Sequence, residues 1–150
     1  MRRFFWVKTG LLAGPALCLL LTVAQADEIG RIKGAVGDAS IERAGETIKP
    51  KPGEILEQSD VLQTGPTGRV AATFIDNSRF SAGPNSRIEL STFAYDPTTQ
   101  QGEFVASVEK GSLAIVSGKI AKSTPDAMKV KLPSAILGVR GTRFVVEVSR

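Results

Sequence analysis

The sequence predicts an all-β fold: a single compact domain of many short, mainly antiparallel strands, sandwich- or roll-like, behind a helical leader that is cleaved. Three observations lead there. Beyond Asp27 apolar side chains recur at every second position, the periodicity of a strand with one buried face. Turn-forming residues interrupt this alternation roughly every eight to twelve positions. Glycine and proline return too often to leave an amphipathic helix of useful length. Regular short strands with frequent turns favour a sandwich, roll or barrel-like domain, and the absence of an exact repeat period argues against a regular solenoid.

The elements follow in order. Ile32, Gly34 and Val36 alternate with Arg31, Lys33 and Ala35. After Gly37-Asp38, Ala39 and Ile41 alternate with Ser40 and Glu42. Gly45 to Gly53, with Lys49-Pro50-Lys51-Pro52, reads as an extended loop, because proline removes backbone donors. Val70, Ala72 and Phe74 share a face, and Asp76-Asn77-Ser78 reverses the chain. Phe80 and Ala82 run to a turn at Gly83-Pro84-Asn85, followed by Ile88 and Leu90. Thr92 to Gly102 reads as a hairpin tip or exposed loop around Asp96-Pro97-Thr98-Thr99. Phe104, Ala106 and Val108 lead to a turn at Lys110-Gly111, then Leu113 and Ile115. Met128, Val130 and Leu132 form a further strand, and Phe144, Val146 and Val148 the last. The expected core aromatics are Phe74, Phe80, Phe93, Phe104 and Phe144, with Tyr95.

Residues 1–26 read as a signal peptide and 27–150 as the domain. Arg2, Arg3 and Lys8 make a positive start, an apolar run extends from Leu11 to Val23, and Ala24-Gln25-Ala26 offers the small-x-small pattern of signal peptidase cleavage. The run is shorter than the roughly 20 residues of a membrane-spanning helix, and Gly14 and Pro15 interrupt it, so no stable span is expected after cleavage. Cys18 follows Leu17 rather than a small residue, which weakens a lipoprotein reading, and Arg2-Arg3 does not by itself distinguish twin-arginine from general export. The expected location is the periplasm.

Cleavage also changes the charge. Three of the 19 basic residues, Arg2, Arg3 and Lys8, leave with the leader, so 16 face 15 acidic ones. A nearly neutral domain has no electrostatic basis for binding nucleic acid. Cys18, the single cysteine, and Trp6, the single tryptophan, also leave, so no disulfide framework is available.

Chemistry is scarce. The chain has no histidine, which removes the commonest general base and transition-metal ligand together, and rules out Ser-His-Asp and Cys-His arrangements. Ser123 near Lys122 and Lys119 permits serine-lysine chemistry formally, but polar loop residues explain it more simply. Asp60, Asp76, Asp96 and Asp126 lie near expected turns, where aspartate caps backbone amides. A calcium site at Asp76-Asn77-Ser78 would have too few ligands from one turn. No enzyme activity, cofactor or metal is expected. The most distinctive segment runs from Pro133 to Phe144. Gly138 and Gly141 bracket Val139-Arg140, permitting tight backbone geometry, and Arg140 either clamps a bulged strand or contacts a ligand or partner.

In this order the motifs resemble the FecR domain, the periplasmic module of a family of bacterial signal-relay proteins. The matching pieces are Gly34-Ala35-Val36-Gly37, Leu56 through Gly65, Phe74-Ile75-Asp76-Asn77-Ser78, Gly83-Pro84-Asn85-Ser86 and Lys110-Gly111-Ser112-Leu113. The last is Gly138-Val139-Arg140-Gly141-Thr142-Arg143-Phe144, close to the family's Gly-(Val/Ile)-Arg-Gly-Thr-x-Phe signature. Asn77 stands where the family usually has glycine, and Leu132 where threonine commonly precedes the proline. The resemblance implies a non-catalytic interaction or sensing module with an envelope protein partner, its candidate contacts being Gly138, Val139, Arg140, Gly141, Thr142 and Phe144. In the best-known members it implies relay of iron-siderophore occupancy from an outer-membrane transporter through a cytoplasmic anti-sigma segment. The stretch from Met1 to Lys8 is too short for that segment, so a stand-alone periplasmic module is expected. The alternative is binding of an envelope glycan or a small ligand such as a ferric chelate.

Overall fold

The alternation is realised as strands joined by tight turns in the computed structural model, which describes residues 26–141 and 143–149. The expected leader through Gln25, including Ala24, and Thr142 of the signature lie outside the described residues. Ala26, the other half of the cleavage pattern, is exposed ahead of the first strand. Among the described residues no helix is long and apolar enough to cross a membrane.

The strands are β1 (Gly30–Val36), β2 (Ala39–Arg43), β3 (Glu46–Ile48), β4 (Ile55–Leu56), β5 (Val61–Thr64), β6 (Arg69–Phe74), β7 (Arg79–Ala82), β8 (Arg87–Tyr95), β9 (Gly102–Val116), β10 (Met128–Leu132), β11 (Ala135–Val139) and β12 (Arg143–Val148), with one short helix, α1 (Lys119–Ser123), before β10. They form one curled sheet in the order β3-β2-β5-β8-β9-β7-β6-β1-β4, with β10 and β12 also paired to β9 and β11 to β10. Every pairing is antiparallel except that of β9 with β10. A parallel neighbour requires a return crossover, and α1 supplies it, burying Ile120 and Ala121 on the way.

The axis of the fold is β9. Its first half pairs with β8 and β10, and its second half with β7 and β12. The turn expected at Lys110-Gly111 is therefore not a turn: the strand runs on through Gly111, whose φ of +85° bends it without reversing it. The bend directs the two halves of the sheet around one core. Phe74 and Phe80 from one half meet Phe93 and Phe104 from the other, and Phe104 lies within 5.0 Å, centroid to centroid, of each of the other three rings. All four rings are buried, whereas Phe144 and Tyr95 are half-buried and pack on the rim.

Two further expectations change. The residues from Gly45 to Gly53 are not wholly a loop, because Ala44 and Gly45 (φ +49° and +82°) make a two-residue hairpin turn that pairs Glu46 with Arg43 and forms β3. In β1 the register shifts between Ile32 and Gly34, so the alternation slips by one. Ala35 then packs towards the core while Val36 points outward, 61% exposed. The alternation is cleanest in β6, which reads exposed-buried-intermediate-buried-intermediate-buried along its length, and it breaks in β9, where Phe104, Val105 and Ala106 are all buried.

Candidate interaction surface

Most of the distinctive polar residues hold the framework. Asp60 is fully buried, and Arg43 grips it with both prongs, Nε to Oδ1 at 2.8 Å and Nη2 to Oδ2 at 2.7 Å. The same carboxylate accepts the Glu57 backbone N–H at 2.8 Å, and Arg43 also pairs with Glu57 and donates to the Ile55 carbonyl. Asp76 is equally buried. It accepts the Ser78 N–H and hydroxyl, and its carboxylate and carbonyl oxygens receive the Ile120 and Lys119 N–H groups at the start of α1. The turn thus caps the short helix from the neighbouring strand pair. It leaves no space for an extra side chain, since a Cβ on Gly118 would lie 2.3 Å from the Asp76 carbonyl oxygen.

The segments at Gly83 and Lys110 lock together. Ser86 Oγ donates towards the Ser112 carbonyl and accepts the Ser112 N–H, and Thr64 Oγ1 links the Gly83 carbonyl to the Ser86 N–H. This hydroxyl network sits against the bend of β9. Ser123 donates to the Gln100 and Ile120 carbonyls, a structural use that leaves it unlike an activated nucleophile. Among the described residues no three His, Cys, Asp or Glu side chains converge in a way that could hold a metal ion.

The signature segment occupies a different position. Gly138 pairs in regular register with Lys129, so β11 carries no bulge there. Val139 is buried, Arg140 is exposed with Nη2 4.0 Å from Asp126 Oδ2, and Gly141 (φ +46°) turns the chain. From that turn the chain leaves the β10–β11 wing and enters β12 beside the second half of β9. The segment is thus a crossover between the two halves of the sheet, with Val139 and Phe144 as inward anchors and Arg140 at the surface.

Two open surfaces stand out among the described residues. One is β11, which is bonded only to β10 and exposes Ile136 (65%) and Leu137 (36%). The other is the outer face of β1, β6, β7, β9 and β12. Pairing sets Thr73, Arg79, Val116 and Arg143 in one row across this face and Ala71, Ser81, Ala114 and Val145 in the next. The second row is nearly all small side chains, and the result is a trough of about 370 Å³ with Lys33, Arg79 and Arg143 around it. Alternation along each strand predicts that these residues face outward. It gives no sign that Arg79 and Arg143, far apart in sequence, flank the same Val116.

The architecture defines the class: an all-β roll whose buried carboxylates serve the framework and which presents an uncharged sheet edge and an open sheet face. Residues 60–150, more than half of the chain, match the family model described as FecR protein, and the chain belongs to that family. Its domains are generally non-catalytic signalling regulators. No curated protein and no solved structure matches the chain. The matched stretch starts at Asp60, so β1 to β4 precede it, although β1 and β2 are bonded into the same sheet.

Proposed function

We propose that this chain is a non-catalytic periplasmic interaction or sensing module that receives an envelope protein partner by strand addition at β11. The observation that carries the reading is the unguarded edge of that strand. Natural sheets blunt their edges with charges, proline or shortness, because unpaired N–H and C=O groups template pairing with another chain. The other edges follow that rule: β4 has two residues, β3 three including Glu46, and β12 carries Arg143 and Glu147. The sequence of β11, Ala-Ile-Leu-Gly-Val, has no charge and no proline. An incoming strand would gain main-chain hydrogen bonds there, with Ile136 and Leu137 supplying side-chain contact. The periplasmic assignment draws on the leader-like sequence from Arg2 to Ala26, and the non-catalytic one on the family and on the structural employment of Asp60, Asp76 and Ser123.

A photocrosslinking amino acid placed at Ile136 in the exported chain tests this. A discrete crosslinked protein is expected from position 136, none from Gln100 at the tip of the β8–β9 hairpin, and a much weaker product when Leu137→Lys is added. Equal yield from the two positions, or no product from 136, sinks the strand-addition reading.

A further inference from the structure

We propose that the trough on the outer face of β1, β6, β7, β9 and β12 is a second binding surface, for an acidic peptide segment of another protein that carries one apolar anchor side chain. It lies on a different surface from the β11 edge and does not depend on the reading given for that edge.

The floor comes from the register. Ala71, Ser81 and Ala114 stand side by side on three neighbouring strands, each about 4.8 Å from the next, so the sheet is bare of long side chains across its middle. Thr73, Val116 and Val145 border the floor, and its volume lies at the low end of the roughly 300–1,000 Å³ of ligand sites. Val145 is 67% exposed, far more than a valine inside a finished interface.

Charge selects the occupant. Lys33, Arg79 and Arg143 surround the floor and form no ion pair among the described residues. Arg69 lies on the same face one register further along β6, and Glu147 of β12 is the one acidic side chain among the outward positions of β6, β7, β12 and the second half of β9. Among the described residues, arginines on other parts of the surface form ion pairs: Arg31 with Glu28, Arg43 with Asp60 and Glu57, and Arg87 with Glu42 and Glu109. A face of unneutralised cations over an apolar floor is complementary to carboxylates flanking an apolar group.

Other occupants fit less well. A second copy of the chain meeting face to face would bring the same cations together. A bilayer is flat, whereas the apolar floor here is a trough set between strands and bordered by Thr73, Val116 and Val145. Among the described residues no aromatic side chain points from this face to stack a base or a sugar ring: Phe80 lies beneath the sheet, 2% exposed, and Phe144 packs against the core.

The test uses the purified chain and a fluorescein-labelled pentapeptide of one phenylalanine between two pairs of aspartates, read by fluorescence anisotropy at low salt. Saturable binding is expected. It should weaken roughly tenfold in the Arg79→Gln, Arg143→Gln double variant, by loss of two surface ion pairs, and fall with added salt. Ala114→Leu, which fills the floor without altering charge, should also weaken it, as should alanine in place of the peptide's phenylalanine. The charge variant lies wholly at the surface, so its unchanged melting temperature keeps the result interpretable if Ala114→Leu folds poorly. Absence of binding overturns the proposal. So does equal affinity for an all-aspartate peptide, which would mean charge alone. Tighter binding to phosphatidylglycerol vesicles, lost in the same charge variant, would assign the face to lipid, and a concentration-dependent dimer that excludes the peptide would assign it to self-association; either result also overturns the proposal.

Discussion

Asp60 has no exposed surface, yet it carries a carboxylate into the interior 17 residues from the arginine that meets it. The bond to Asp60 is the main reason the Arg43 guanidinium is held above its ordinary value, outweighing the effect of its own burial. A buried ion pair is poor evidence of net stability, but removing one partner strands the other. Arg43→Ala should therefore cost about 3 kcal/mol or more in urea denaturation, leaving Asp60 with only the Glu57 N–H. Replacing both residues, with Arg43→Met and Asp60→Leu, should cost clearly less than the sum of the single changes. An additive result would show that the two side chains act independently. In the sequence Asp60 reads as a turn cap, and the Glu57 N–H bond is that cap. The arginine was not legible, because nothing local to Asp60 announces a partner on β2.

At the scale of elements, the turns at Asp76-Asn77-Ser78 and Gly83-Pro84-Asn85 were readable, since local turn chemistry and the ends of the apolar alternation coincide there. Lys110-Gly111 has similar chemistry and a different outcome. A left-handed glycine can reverse a chain or bend a strand. Here the contacts with Ser86 and the pairing of both flanks of β9 decide for the bend. Gly111→Ala would strain the φ of +85° and place a Cβ 2.4 Å from the Ser86 Cα. The strained backbone alone costs of order 1–3 kcal/mol, and the clash adds to it. Thermal melts should show a large loss for Gly111→Ala, with Gly34→Ala nearly neutral as a control, because a Cβ on Gly34 meets nothing within 4 Å. Equal melting of the two variants would remove the bend from the account of the fold. The trough escaped the sequence for a related reason: outward alternation is local, whereas the row of small residues exists only once β6, β7 and β9 are in register.

At the scale of the molecule, the all-β class and most of the core were legible from period-two alternation, and the two-sided closure of the sheet was not. That closure rests on Phe104, which touches Phe74, Phe80 and Phe93 across the two halves. Phe104→Ala should cost about 3–5 kcal/mol by circular dichroism. Because both halves pack on this ring, the loss should appear as one lowered transition. Two separate transitions would mean that the halves fold independently.

The shared strand also imposes an order of events on a chain made from its N-terminus. β7 and β8 are complete by Tyr95, but their common neighbour is not finished until Val116, and its remaining sides wait for β10 and β12, the latter ending at Val148. Until then the growing chain holds several strands with open edges and an uncovered phenylalanine cluster, the condition in which nascent β proteins aggregate. Synthesis of nearly the whole domain must therefore precede its closure. A chain stopped within β9 is left not with a smaller domain but with a sheet that lacks its keel.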